Sequence, residues 1–115
     1  MLALLLAFTW TLAAIGEEVA YRGFLLTRLR QAIGGGGAST KVATITAATA
    51  VALLFGWAHN EQGLIGIATT CIDALFFTWL RLRYRSLWAA VLAHGFNNTI
   101  GLVAYFFLGP IYGLW

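Results

Sequence analysis

Four apolar stretches, residues 2–29, 42–59, 64–80 and 87–108, take up most of the 115-residue chain. Each is near the ~20 residues that a helix needs to cross a hydrocarbon core of about 30 Å. A backbone in lipid must satisfy its own polar groups, so segments this long read as helices. Only 10% of the residues are charged, and mean hydropathy is +0.83. A soluble domain carries about 25% charged residues, so this chain cannot coat a water-facing surface. The expected fold class is all-α: a polytopic membrane protein with a four-transmembrane-helix core bundle. A single membrane-embedded domain over residues 1–115 is expected, multi-pass, in a bacterial plasma membrane.

The gaps between the stretches set topology. Gly34–Gly37 with Ala38, Ser39 and Thr40 reads as a flexible linker. Residues 60–63 read as a tight polar turn, and Gly109-Pro110 stops or kinks the last helix. No internal repeat is visible. Residues 1–16 lack a basic leading region and run on into Glu17, so they read as part of the first span, not as a cleaved signal. The chain starts abruptly in apolar residues, as a fragment or a very short protein of its kind would. Net charge is +3 and the pI is about 9.5. The seven basic residues are scattered, however, and form no phosphate-binding face, which excludes a nucleic-acid partner. Arg28, Arg30 and Lys41 flank one gap, and Arg81, Arg83 and Arg85 fill another. The positive-inside rule makes both gaps cytoplasmic and both ends of the chain outer. Trp79 and Trp88 flank the second gap as interfacial aromatics do. Cys71 has no second cysteine to pair with and reads as a small, inert thiol.

Inside the first stretch stand Glu17, Glu18 and Arg22. Each ionisable group at the centre of a membrane helix costs roughly 2.5–3.5 kcal/mol on the insertion scale, so three within six residues mark a polar centre. Glu18 and Arg22 are four apart and share a helix face. Glu17 is turned about 100° from Glu18. Arg22 is expected to pair with Glu18, leaving Glu17 to face the bundle centre. Such a division of two carboxylates suits acid–base chemistry, whereas the bland alternative is a structural ion pair with a spare carboxylate. The two histidines also have neighbours at helical spacing: Phe55 with His59, and His94 with Asn98. Each motif alone is weak, and the ordered set is strong. Asp73, near Thr69, Thr70 and Thr78, reads as a partner for an arginine or a hydroxyl. Glu61 reads as a loop charge.

Written out, the set is Glu17-Glu18-Val19-Ala20-Tyr21-Arg22, Phe55-Gly56-Trp57-Ala58-His59 and His94-Gly95-Phe96-Asn97-Asn98. It resembles the CPBP family of intramembrane proteases, also called the CAAX-processing or Abi family, whose signature is EExxxR, FxxxH and HxxxN in that order. The resemblance covers nearly the whole chain and corresponds to the family's four-helix core; typical members carry further transmembrane helices, mostly before the first motif. It implies a glutamate-dependent endopeptidase. Glu17 and His59 would activate a water, with the carboxylate as general base. His94 and Asn98 would donate to the oxyanion, Glu18 and Arg22 would hold Glu17 in position, and Phe55 would support the set. No cofactor is expected. The alternative is zinc on Glu17, His59 and His94, a legitimate three-ligand set. The absence of HExxH, and an asparagine as the fourth group, favour the metal-free reading.

The implied partners are the bilayer and a peptide or membrane-protein substrate. A eukaryotic-type member would cut after a prenylated cysteine and release a tripeptide; a bacterial one would need other substrates. Another reading is a non-proteolytic member serving bacteriocin self-immunity or acting as a membrane scaffold. A third is an ion-conducting bundle using Glu17, Asp73 and the histidines. One feature resists the picture. At ~1.5 Å per residue, Glu17 lies ~16 Å from Arg28 and His94 ~14 Å from Arg85, but His59 lies ~27 Å from Lys41. The second helix must therefore be displaced along its axis for the three to meet. A cysteine placed at Arg83 is expected to react only with a cytoplasmic-side probe; labelling from the outer side overturns the orientation.

Overall fold

The computed structural model describes residues 1–109 and consists of four long antiparallel helices in an elongated bundle of 51 × 27 × 18 Å. Helix α1 runs Leu2–Gly35, α2 Thr40–Trp57, α3 Gly63–Tyr84 and α4 Leu87–Leu108. All four are long and apolar enough to cross a membrane. A three-residue 3₁₀ turn, Asn60–Gln62, joins α2 to α3. Up-down-up-down order puts the α1–α2 and α3–α4 junctions, with their six basic residues, at the same end of the bundle.

The gaps are tighter than their composition predicts. α1 continues through Gly34 and Gly35, so the flexible linker shrinks to residues 36–39. There Gly37 takes φ +93, a conformation that a side chain would strain, and the Ser39 hydroxyl caps α2 by accepting the Val42 N–H at 3.3 Å. Arg81 and Arg83 lie in the last turn of α3, not in a loop, and only Arg85 and Ser86 separate α3 from α4. Gly109, at φ +75, ends α4; Pro110 lies outside the described residues.

This extension of α1 resolves the depth conflict. Eighteen residues separate Glu17 from the true end of the helix at Gly35, the same count that separates His59 from Lys41. The antiparallel register then sets Tyr21 against Phe55, with ring centroids 4.9 Å apart, and Leu26 against Ala47 and Val51. His59 is four residues beyond Phe55 and Glu17 four before Tyr21, so the two sit at one level.

Packing follows the logic of lipid, not of water. The buried apolar positions are mostly alanine (Ala14, Ala43, Ala47, Ala52, Ala74 and Ala90), which lets backbones approach closely. Large side chains such as Leu12, Phe24, Leu53, Ile72, Phe76 and Ile100 face outward. In water such a surface would aggregate; against acyl chains it is the solvated face. Trp79 and Trp88 are outward-facing as well.

The closest approach is at Gly56. A Cβ there would collide with Cys71 Sγ and stand 2.9 Å from the Ile67 carbonyl oxygen. Cys71 thus serves as a contact residue of the α2–α3 seam. Alanine in a helix gains about 1 kcal/mol over glycine. Overpacking against a backbone that cannot yield costs about 1–3 kcal/mol. Gly56→Ala is therefore expected to lower the unfolding midpoint in detergent, whereas Gly101→Ala, with open space around it, is expected to leave the midpoint unchanged or raise it.

Candidate active site

The centre of the bundle is polar. Glu18 and Arg22 are fully buried, and Arg22 Nη1 donates to Glu18 Oε1 at 3.0 Å. The same oxygen lies 2.9 Å from His94 Nδ1. An ionised carboxylate only accepts, so Nδ1 carries the proton and Nε2 is turned elsewhere. It faces Glu17, whose Oε2 stands 3.9 Å away. One imidazole is thus held between two adjacent carboxylates.

The winding of α1 makes this possible. Residues Thr9–Glu17 and Val19–Leu25 are π-helical. A wider turn rotates successive side chains by less than the 100° of an α-helix, so Glu17 and Glu18 both address α4. Glu18 is the innermost carboxylate. Glu17, expected at the bundle centre, is about a third exposed (31%). Glu18 also holds His94, where the sequence led us to expect it to position Glu17.

Arg22 reaches the carboxylate with one nitrogen, while its Nε and Nη2 find no acceptor. Aromatic faces take their place. The guanidinium carbon lies 4.3 Å from the Phe55 ring centroid and 5.6 Å from that of Phe77. Cation–π contact of this kind strengthens when desolvated. Phe55, the first residue of its motif, is therefore the floor under Arg22, and it also packs on His59 and His94. Phe77 stacks on the His94 ring at 5.0 Å and 14°. No motif singles out Phe77; its one signal is a position one helical turn from Asp73.

Trp10 was not legible either. Its indole N–H donates to Thr99 Oγ1 at 3.0 Å, and Thr99 donates to the Gly95 carbonyl. A Cβ at Gly95 would lie 2.5 Å from the Trp10 ring, so the glycine beside His94 lets α1 lie flat on α4.

His59 lies just past the end of α2. Its Nδ1 is 2.8 Å from the Phe55 carbonyl, which only accepts, so Nδ1–H donates and Nε2 remains available. His59, His94, Asn98, Asp73, Phe55 and Phe77 line one open cleft of about 690 Å³. Glu17 is not in its wall but lies within electrostatic reach of both histidines. Asp73 is paired with an amide, where an arginine or hydroxyl was expected: Asn97 Nδ2 donates to it at 3.1 Å. Glu61 sits on the exposed 3₁₀ turn. Among the described residues no three His, Cys, Asp or Glu side chains form a metal-holding group.

Residues 1–100 match the profile described as Type II CAAX prenyl endopeptidase Rce1-like. The chain belongs to this family. No curated protein and no solved structure matches it. Membership brings a CAAX endopeptidase-type function to the four-helix bundle: an integral membrane protease whose peptide or protein substrates are met in the bilayer.

The buried charge pair yields a stability test. Removing one partner of such a pair costs about 3–5 kcal/mol, because the other is left uncompensated. Arg22→Met is expected to lower thermal stability in detergent steeply, and Glu18→Gln added to it to recover a large part of the loss. A single variant as stable as the wild type would show that the pair carries no such weight.

Proposed function

We propose that the protein is a glutamate-dependent intramembrane endopeptidase in which Glu17 is the general base. The observation that carries this reading is the His94 ring in the wall of the cleft, held by Glu18 on one nitrogen and facing Glu17 with the other. Peptide hydrolysis requires an activated water, an oxyanion site and a proton for the leaving amine.

His59 offers Nε2 as an acceptor, so it and Glu17 have the chemistry to hold a water between them. Glu17 takes one proton as the water oxygen bonds to the scissile carbonyl carbon. The oxyanion then accepts from the Asn98 amide and from His94 Nε2–H, which the imidazolium form supplies. The C–N bond breaks as Glu17 returns its proton to the amine. Glu18 acts through His94: its hydrogen bond fixes the ring orientation, as a carboxylate does for other catalytic histidines. Arg22, Phe55 and Phe77 hold that carboxylate and ring in place.

The site is open and carries no motif for one side chain, so prenylated proteins of the CAAX type and plain peptides are both candidate substrates. The decisive assay is cleavage in liposomes on a panel of prenylated and unmodified peptides. Wild type is expected to cleave, and Glu17→Gln to lose at least about 10²-fold in rate. Asn98→Ala is expected to lose about 10²–10³-fold, the usual effect of deleting an oxyanion donor. Activity is expected to survive chelation and dialysis; loss that zinc alone restores would transfer the mechanism to a metal.

A further inference from the structure

The cleft does not end at the histidines. It continues along one side of α3, where Thr69, Thr70 and Asp73 line it, and along α4 as far as Tyr105. Asp73 is half-buried and one helical turn from Phe77, the ring stacked on His94. The Asn97 amide fixes its carboxylate. Nothing in the proposed chemistry uses it.

The basic residues are distributed in the opposite sense. All seven Lys and Arg fall among the described residues, and none lines the cleft. Arg22 is fully buried against Glu18, and the other six lie at the far end of the bundle. Residues 110–115 contain no Lys or Arg. His94 lies within electrostatic reach of Asp73 but is already shared by Glu17 and Glu18. A substrate in this cleft therefore meets a fixed carboxylate with no lysine or arginine to offset it.

We propose that Asp73 determines specificity in this cleft, selecting a substrate with a lysine or arginine within about two residues of the scissile bond. The reach follows from geometry: one helical turn is about 5.4 Å, and an extended chain advances about 3.3–3.6 Å per residue. Partly desolvated like charges repel, and a charge-assisted pair attracts. The substrate is then a peptide that carries a cationic side chain beside the scissile bond. This assignment rests on the endopeptidase reading above and names its substrate class.

The test uses the full chain in nanodiscs and fluorescent peptides that differ only in a Lys, Gln or Glu scanned along the sequence. Binding is read by anisotropy on the Glu17→Gln variant, and KM and kcat are read separately on the wild type. A lysine at one or two positions is expected to bind about tenfold tighter than glutamate there, with the difference in KM. Asp73→Asn, which keeps an acceptor for Asn97, is expected to erase the discrimination, and Asp73→Lys to invert it, an outcome that a merely structural role would not produce. Equal binding of lysine and glutamate peptides overturns the assignment, whether or not they are cleaved. Charge-dependent binding without cleavage by the wild type supports the Asp73 site and refutes the peptidase reading.

Discussion

A single carboxylate oxygen organises the bundle. Glu18 Oε1 receives Arg22 from its own helix and His94 from α4, in a place with no exposure. An isolated charge there would cost several kcal/mol even after relaxation, so the three groups can be buried only together. Phe55 from α2 and Phe77 from α3 complete the enclosure around the guanidinium. All four helices therefore contribute to neutralising one internal charge, and their relative heights follow from that requirement. The arrangement also prepares chemistry, because the bond that stabilises Glu18 fixes the nitrogen that His94 presents to Glu17.

Around this polar centre the usual distribution is reversed. Alanines and glycines occupy the helix seams, and leucines, isoleucines and phenylalanines cover the outside. In lipid the apolar exterior gives no drive to associate, so packing and internal polar bonds hold the helices together. Gly56 and Gly95 show how close the seams are, one against Cys71 and Ile67, the other against the Trp10 ring. Both glycines neighbour motif residues. The close contact and the site thus share the same turns of helix.

The bundle is electrically asymmetric along its length. Six basic residues gather at the two junctions of one end, and the cleft, with Asp73 in its wall, belongs to the remainder. One segregation of charge thereby gathers the lysine and arginines of the junctions at one end and leaves the cleft without either.

The sequence by itself determined the class of fold and named the candidate residues of the site. Span length and low charge require helices in lipid, because no other form satisfies the backbone there. The order of EExxxR, FxxxH and HxxxN selected Glu17, Glu18, Arg22, Phe55, His59, His94 and Asn98, and the spacing of four made the Glu18–Arg22 pair readable. What no periodicity carries is register between helices and which of two adjacent carboxylates turns inward. The first was decided by the extension of α1 to Gly35, which brings His59 level with Glu17; the second by the π winding, which gives Glu18 to His94 Nδ1 and leaves Glu17 partly exposed on the Nε2 side of the same ring. Trp10, Phe77 and the Asp73–Asn97 pair belong to the same category. Their partners are remote in sequence, and only the packed bundle brings them within reach.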